Sequence, residues 1–469
     1  MRRTAVINVV GLTESLLGPE MPRIQAFRQR GAVASIIPAF PGLTCTAQST
    51  YLTGTPASAH GIVGNGWYNR ELAEVQFWKQ SNHLVHGRKL WEELRESDPG
   101  FTCAKLFWWY NMYSTAKYSI TPRPIYPADG RKIFDIYTQP SSIHDEIKRD
   151  LGEFPFPTFW GPAAGIQTPQ GPPQAASRWI ADSAIWIENK YHPSLNLVYL
   201  PHLDYNLQRF GPGTATGLNP AILPDLRAID VIVGDLIEFF EKKSVQVILL
   251  SEYGITPVNV PIHLNRLFRK EGWLSVKNEL GLEILDCGAS KVFAVADHQV
   301  AHIYLNDLSF ENRVRDLLQR QNGIEQLLGP AEKKALGVDH PRAGDLIAVA
   351  TENAWFTYYY WLEDRAAPDF ARTVDIHRKP GYDPVELFLD PSLHYPKLKI
   401  ARRLLQKKLG FRMLMDVIPL DPALVKGSHG RRPANSVDFP LFISTRRELI
   451  QKSPIETTDV FQVLRQHIL

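Results

Sequence analysis

Residues 195–250 contain LNLVYL (195–200), PDLRAIDVIVGDLIEFFEK (224–242) and VQVILL (245–250). Each short apolar run has the length of a buried strand, and the middle segment repeats apolar residues at the spacing of one helical face. The order strand, helix, strand is typical of a parallel sheet covered by helices. The sequence therefore predicts an α/β fold, in which ligands bind beyond the carboxyl ends of the strands.

Two further apolar runs, Ala5–Val10 and Ala32–Ile37, predict additional strands of this sheet. Residues 262–345 have a different pattern, in which short strand-like runs surround one helical segment. We therefore expect a catalytic core formed by residues 1–261 and 346–469, with a smaller α+β subdomain inserted between them.

The composition is that of a globular protein, with 44% hydrophobic and 22% charged residues among 469. These values exclude a disordered or fibrous chain. The 52 lysines and arginines nearly balance 49 aspartates and glutamates, for a net charge of +3. Because this balance gives no basic field, no nucleic-acid polymer is expected as a partner. The three widely spaced cysteines predict neither a disulfide framework nor a cysteine-based zinc site.

The N-terminal apolar run Ala5–Val10 is interrupted by Asn8 and is shorter than the apolar region of a secretory signal. Stretches of 18 uncharged apolar residues are absent from the sequence, so no membrane-spanning helix is expected. These features predict a cytoplasmic location, and the oligomeric state is left open.

Residues 41–65 contain PGLTCTAQSTYLTG (41–54) and HGIVGN (60–65). The hydroxyl of Thr44 follows a strand and a Pro-Gly turn, and it precedes a predicted helix. Free backbone N–H groups at a helix N terminus stabilise an anion such as phosphate. Threonine is also a common helix N-cap, so position alone leaves both roles open for Thr44.

The same stretch resembles the nucleophile region of the type I phosphodiesterase / nucleotide pyrophosphatase family, within the alkaline phosphatase superfamily. The family's spacing of Thr, Thr-Gly, His-Gly-Ile and Asn is kept at Thr44, Thr53-Gly54, His60-Gly61-Ile62 and Asn65. The resemblance implies Thr44 as the nucleophile and Asn65 as the amide that binds a non-bridging phosphoryl oxygen. It also implies an alkaline-phosphatase-like central sheet flanked by helices.

The resemblance extends to three further residues that imply a metal site. Asp204 follows the run 195–200, Glu252 stands where the family has Asp, and His429 lies in a late Gly-Ser-His-Gly segment. The resemblance implies that these side chains, with Thr44, hold a divalent metal. Zinc is the expected ion because the ligands mix nitrogen and oxygen.

The sequence also departs from the family at three metal-ligand positions. Val10 replaces the first Asp, Gln208 replaces the His after Asp204, and Tyr253 replaces the His after Glu252. A complete two-metal set cannot be assembled from the remaining residues. We therefore expect one tightly bound ion and no complete second site.

Other residues are candidates to replace the lost ligands. His377 is a candidate imidazole, and Asp375 or Glu14 is a candidate carboxylate. The pair Asp297-His298 is a further polar group beside a predicted strand. For each of these, ordinary hydrogen bonding in the core or at the surface is the alternative.

Together these features predict a metal-dependent hydrolase of a small phosphate mono- or diester. One alternative is a phosphoryl-transfer or isomerase enzyme that uses one metal or none. Another is a protein that binds a phosphorylated ligand without turning it over. The aromatic segments 107–113 and 354–362 are expected either to pack in the core or to form a wall around the substrate.

Overall fold

The computed structural model describes residues 1–169, 171–214 and 217–469. The α-helices in this part of the chain are α1 (Pro22–Arg30), α2 (Thr44–Thr53), α3 (Ala57–His60), α4 (Leu90–Ser97), α5 (Ile143–Leu151), α6 (Ala175–Tyr191), α7 (His202–Phe210), α8 (Leu223–Lys242), α9 (Leu264–Lys270), α10 (Glu311–Gln319), α11 (Pro330–Ala335), α12 (Pro396–Lys408) and α13 (Val460–Ile468). None of the helices within these ranges is long and apolar enough to cross a bilayer.

The strands of the described residues are β1 (Thr4–Val9), β2 (Ala32–Ile37), β3 (Gly66–Asn69), β4 (Glu74–Phe77), β5 (Cys103–Leu106), β6 (Tyr118–Pro122), β7 (Ile136–Gln139), β8 (Leu195–Leu200), β9 (Gly213–Thr214), β10 (Gly217–Leu218), β11 (Gln246–Leu250), β12 (Thr256–Pro257), β13 (Val260–Ile262), β14 (Ser275–Glu279), β15 (Leu282–Asp286), β16 (Val292–Asp297), β17 (Val300–Leu305), β18 (Ile324–Leu328), β19 (Leu346–Ala350), β20 (Ala354–Phe356), β21 (Gly427–Ser428), β22 (Leu441–Ser444) and β23 (Ile455–Glu456).

The central sheet has nine strands in the order β23-β2-β22-β11-β1-β8-β5-β6-β7. Strand β1 pairs in parallel with both β11 and β8, so that Val6 lies opposite Ile248 and Leu197. Strand β22 runs antiparallel between β2 and β11, and β7 is antiparallel at the edge. The predicted strand–helix–strand unit is confirmed as β8, α8 and β11, within a mixed sheet flanked by helices.

The apolar patterns of the sequence correspond to burial in this sheet and its helices. Every residue of β1 and β8 is buried, which explains their continuous apolar runs. Helix α8 buries Leu226, Ile229, Val233, Leu236 and Phe240 in the same core. Each such side chain contributes about 1.5–3 kcal/mol when it is removed from water.

A smaller antiparallel sheet follows in the chain, with the order β16-β17-β19-β18. Its strand β19 (Leu346–Ala350) pairs with β17, so this sheet continues past residue 345, the end predicted for the inserted segment. The division into a core and an inserted subdomain stays a prediction. The aromatic segment 354–362 contributes Phe356 and residues 358–361 to the core of the smaller sheet, which supports the core-packing alternative for that segment.

A buried ionic cluster holds the segment 379–386. The Nζ atom of Lys379 lies 2.7 Å from Asp383 and 2.7 Å from Glu386, and all three side chains are buried. The indole N–H of Trp160 donates to the second oxygen of Glu386 at 2.6 Å. Because buried charges are stable only when paired, this cluster fixes the loop that carries Tyr382.

Replacing Lys379 by Met should lower the free energy of unfolding by about 3–5 kcal/mol, because two buried carboxyl groups lose their cation. Urea unfolding followed by circular dichroism measures this loss. The matched control is Lys242→Met, because Lys242 forms an exposed pair with Glu238 at 2.6 Å and such pairs contribute about 1 kcal/mol or less. Equal losses in the two variants would contradict a structural role for the buried cluster.

Candidate active site

The candidate site lies where the parallel strands of the central sheet end. Val10 directly follows β1, Asp204 lies on α7 immediately after β8, and Glu252 follows β11 by two residues. Thr44 begins α2, the helix after β2. Because β8, β1 and β11 run parallel side by side, their carboxyl ends bring these positions together.

Thr44 is the first residue of a helix that is buried along its whole length. Leu43 is the N-cap, so the N-cap alternative for Thr44 does not apply. The Oγ1 atom of Thr44 lies 3.0 Å from the hydroxyl oxygen of Tyr253. Its hydroxyl therefore faces the side chains that follow the neighbouring strand β11.

Asn65 is fixed beside the start of α2 by three hydrogen bonds. Its Oδ1 accepts from the backbone N–H of Cys45 at 3.1 Å, and its Nδ2 donates to Asp297 at 3.2 Å. Its backbone N–H donates to the other carboxyl oxygen of Asp297 at 2.9 Å. Because an amide nitrogen carries two hydrogens, one N–H of the Asn65 side chain remains for another acceptor.

Glu252 is a fully buried carboxyl group held by two side-chain amides. Its Oε1 accepts from Asn8 on β1 and from Gln48 on α2. Burial raises the pKa of Glu252 to about 8, although both donors and the Thr44 hydroxyl oppose this shift. The Oε2 atom of Glu252 has no hydrogen-bond partner within the described residues.

Asp204 receives hydrogen bonds at both of its carboxyl oxygens. The amide nitrogen of Gln208 donates to Oδ2 at 2.8 Å, and the Tyr253 hydroxyl donates to Oδ1 at 3.4 Å. Gln208 in turn accepts from the hydroxyl of Tyr382 at 2.9 Å. Burial raises the pKa of Asp204 to about 7. A continuous chain of hydrogen bonds therefore connects Thr44 to Tyr382.

Four aromatic rings lie in a row beside this chain of hydrogen bonds, with stacked contacts at both ends and a tilted contact between the two histidines. The ring centroids of Tyr253 and His429 are 3.6 Å apart, those of His429 and His298 are 3.8 Å apart, and those of His298 and Tyr382 are 3.6 Å apart. The first and last rings of this four-ring stack are those whose hydroxyls contact Asp204 and Gln208. The ring contacts and the hydrogen bonds through Asp204 and Gln208 therefore form a closed loop that joins Tyr253 to Tyr382 along two routes.

The two imidazoles of the four-ring stack are buried, which favours their neutral form. Burial lowers the pKa of both His298 and His429 well below the usual value. The Nδ1 atom of His429 bonds the carbonyl oxygen of Gly42 at 2.8 Å. The Nδ1 atom of His298 bonds Asp297 at 2.8 Å. The sequence indicated His298 only as a candidate polar group. The structure places its ring within the candidate site, between His429 and Tyr382.

The residues present do not fit the two-metal centre that the family resemblance implies. Val10 offers no donor, the amide of Gln208 is shared between Asp204 and Tyr382, and the ring of Tyr253 is stacked on His429. In the part of the chain that the structure describes, no three or more His, Cys, Asp or Glu side chains are grouped so as to hold a metal ion. The ligand set expected for one tight ion is therefore not assembled.

The candidate replacement ligands contact other groups. The Nδ1 atom of His377 lies 3.3 Å from the carbonyl oxygen of Phe77. Glu14 pairs with Arg28 at 2.6 Å, and the backbone N–H of Asp375 donates to Glu386 at 2.9 Å. These contacts engage the side chains of His377 and Glu14 and the backbone of Asp375.

Several residues of the site were not among the candidates from the sequence. Asn8 is the one polar residue inside an apolar strand, which is a signal that the sequence does contain. Gln48 lies one helical turn after Thr44, on the same side of α2. Tyr382 gives no comparable signal, because its contact with Gln208 joins positions separated by 174 residues.

Comparisons with known proteins agree with this architecture. The type I phosphodiesterase / nucleotide pyrophosphatase family model matches residues 4–383. A curated relative, an uncharacterized pyrophosphatase/phosphodiesterase of Schizosaccharomyces pombe, is 24% identical over 261 residues, or 53% of this chain. The alignment spans 44% of that relative's own length.

Solved structures show the same fold over the whole chain. Phosphonoacetate hydrolase from Sinorhizobium meliloti, in complex with phosphonoacetate, has a TM-score of 0.61 at 14% identity and is covered over 96% of its length. Murine ectonucleotide pyrophosphatase / phosphodiesterase 5, as an inactive threonine-to-alanine variant with AMP, has a TM-score of 0.58 at 14% identity and is covered over 95%. Both alignments cover 100% of this chain. With the family model matched over most of its length, the chain belongs to the type I phosphodiesterase / nucleotide pyrophosphatase family.

Proposed function

We propose that this protein hydrolyses a phosphate mono- or diester of a small molecule, with Thr44 as the nucleophile. The observation that carries the proposal is the 3.0 Å contact between Thr44 and Tyr253 at the N terminus of a buried helix. A helix N terminus stabilises the negative charge of a phosphoryl group. The remaining N–H of the Asn65 side chain is suited to bind one of its non-bridging oxygens.

The hydrogen bonds around Thr44 supply a path for its proton. As the Oγ1 atom of Thr44 forms a bond to phosphorus, its proton passes to the hydroxyl oxygen of Tyr253. The proton of Tyr253 passes to Oδ1 of Asp204, and the leaving group departs with the electron pair of its bond to phosphorus and takes a proton from solvent. A water oxygen then bonds to the phosphorus of the phosphothreonine and the bond to Oγ1 breaks, which releases phosphate or a phosphomonoester. The proton held by Asp204 returns through Tyr253 to Oγ1 and restores Thr44.

No step of this mechanism is assigned to a metal, because Val10, Gln208 and Tyr253 leave the expected ligand set unassembled. The three remaining candidates, Asp204, Glu252 and His429, are instead engaged by neutral donors, a carbonyl group and a stacked ring. The cytoplasmic location expected from the sequence stays a prediction, whereas the zinc ion expected from it has no assembled ligand set among the described residues.

The substrate is proposed to be small and phosphorylated, by analogy with the ligands of the structural neighbours. Those ligands are AMP and a phosphonate, which share a tetrahedral phosphorus group. A panel of nucleotide, sugar and lipid-headgroup phosphoesters is therefore the appropriate first screen.

A protein that binds a phosphorylated ligand without hydrolysis is the second candidate function. The observation that favours it is the closure of the site, because Thr44 is only 4% exposed and Asn65 only 1%. The four-ring stack also fills space beside the nucleophile. Calorimetric binding of a phosphoester that remains intact during prolonged incubation would select this candidate.

Replacing Thr44 by Ala should lower the rate of phosphoester hydrolysis by about a thousandfold or more, because the nucleophilic oxygen is lost. The control is Thr44→Ser, which keeps a hydroxyl at the same carbon and should retain measurable turnover. Substrate-panel assays on both variants, with unfolding temperatures measured in parallel, give the comparison. Near-normal turnover by Thr44→Ala would exclude Thr44 as the nucleophile.

Replacing Tyr253 by Phe should lower kcat by about a hundredfold, because the proton of Thr44 loses its acceptor while the stacked ring is kept. The matched control is Tyr382→Phe, which removes the other terminal hydroxyl of the four-ring stack but does not alter the contact to Thr44. Steady-state kinetics of the two variants separate proton transfer from stacking. Equal kcat values for the two would contradict the proposed path.

The arrangement of side chains predicts that the purified protein retains no stoichiometric zinc after dialysis. Its unfolding temperature should not change with a chelator, because the described residues contain no assembled ligand set through which a metal would stabilise the fold. The comparison protein is the triple variant Val10→Asp, Gln208→His, Tyr253→His, which restores the family's ligand types and should bind zinc. Elemental analysis and thermal unfolding provide the readouts, and one or more ions retained by the native protein would contradict this prediction.

A further inference from the structure

Helix α12 (Pro396–Lys408) presents apolar side chains to solvent. It contains no buried residue. Leu398 is 69% exposed, Leu405 is 56% exposed, and Leu409 at its C-cap is 64% exposed. Because these positions are seven and four residues apart, they lie on one face of the helix. The helix therefore has a continuous outward apolar stripe.

The opposite face of α12 holds the helix on the protein through charged groups. Lys399 and Arg403 both pair with Asp416, each at 2.9 Å. Ile400 on the same side packs against the small apolar cluster that contains Val417 and Ile418. The inward face is thus mainly ionic, and the leucines are left outside.

The outward stripe is surrounded by positive charge. Residues 391–415 contain seven lysines and arginines and no acidic residue. Arg402 lies on one side of the leucine stripe, and Lys397 and Lys408 lie on the other. The chain as a whole has a net charge of only +3, so this segment concentrates basic charge at one place.

A neighbouring loop extends the same surface. The Nζ atom of Lys407 lies 3.5 Å from the carbonyl oxygen of Lys132. Tyr126 and Phe134 in this loop are 56% and 43% exposed, and Lys132 lies over both of their rings, at 6.0 and 5.9 Å. We call α12 together with residues 125–134 the basic-apolar surface.

We propose that the basic-apolar surface binds the surface of a bilayer that contains anionic lipids. An interfacial helix of this kind lies in the membrane plane, with its leucines among the acyl chains and its basic groups near the lipid phosphates. Lysine and arginine side chains beside the stripe can reach the headgroups while their stems stay apolar. Aromatic residues such as Tyr126 and Phe134 are suited to the same boundary.

Charge and shape favour a bilayer over a second copy of this chain and over a nucleic acid. A second copy of this chain docked face to face would bring the basic side chains beside the two leucine stripes, Lys397, Arg402 and Lys408 on each copy, close together. A nucleic acid would use the basic groups but would leave the row of leucines exposed to water. A bilayer with anionic lipids complements both the charge and the apolar stripe.

The test is flotation of the full-length protein with vesicles of phosphatidylcholine alone and with vesicles that contain about 30% phosphatidylserine. Each basic residue near an anionic surface strengthens binding by about fivefold. We therefore expect at least a tenfold preference for the anionic vesicles, which decreases at high salt. Equal binding to both vesicle types, or no binding to either, would overturn the proposal.

Two variants distinguish binding by the basic-apolar surface from nonspecific adsorption through exposed leucines. The double variant Leu405→Glu, Leu409→Glu should lose binding to anionic vesicles at least tenfold. The matched control is Leu280→Glu and Leu308→Glu together, since these leucines are 102% and 67% exposed elsewhere. Because all four side chains are exposed, both variants should have the same unfolding temperature as the native protein. Equal binding by the two variants would overturn the proposal.

The competing occupants give distinct results. Sedimentation velocity measures the oligomeric state. A dimer that dissociates in the Leu405→Glu, Leu409→Glu variant would show that the occupant is a second copy of the chain and not a bilayer. Binding of a DNA duplex that this variant retains, without vesicle binding, would replace it by a nucleic acid. Vesicle binding is measured without turnover, so its outcome does not depend on the function of Thr44.

Discussion

Three carboxyl groups buried at the ends of the strands impose the main constraint on this structure. Asp204, Glu252 and Asp297 receive their hydrogen bonds from side-chain amides, the Tyr253 hydroxyl, a backbone N–H group and the imidazole of His298. Burial raises the pKa of Asp204 and Asp297 to about 7 and that of Glu252 to about 8. Neutral donors reduce the cost of burying such groups, but they do not supply the opposite charge that metal ions would.

The three departures from the family's ligand types are consistent with one another in terms of charge. Relative to the ligands that the family resemblance implies, Val10 lacks a carboxylate, and Gln208 and Tyr253 provide hydrogen-bond donors to Asp204 in place of imidazoles. The metal-free site proposed above would need fewer anions and more donors, and the three replacements supply both changes. The ring centroid of Tyr253 also lies 3.6 Å from that of His429. The tyrosine ring therefore packs against His429 at the position where the resemblance implies a ligand.

Much of the fold could be predicted because its signals are local. Apolar runs of strand length and one amphipathic helix sufficed for α8 and for four of the nine strands of the central sheet, β1, β2, β8 and β11, and the threonine motif indicated the start of α2. The hydrogen bonds of the site are not local: Asn65 meets Asp297 across 232 residues of sequence, and Thr44 meets Tyr253 across 209. No periodicity in one segment indicates which distant side chain it will contact. The four-ring stack, whose members come from four loops, was therefore beyond sequence reasoning.

Helix α12 is a second place where the sequence pattern alone does not give the structure. Apolar residues at helical spacing ordinarily predict the face that packs on the protein. Here Asp416 pairs with Lys399 and Arg403, and these ion pairs turn the charged face inward. Partly exposed ion pairs contribute little stability by themselves, whereas exposed leucines gain free energy when they leave water. An orientation that keeps the leucines in water is therefore explained more readily by an apolar partner than by the energetics of the isolated chain.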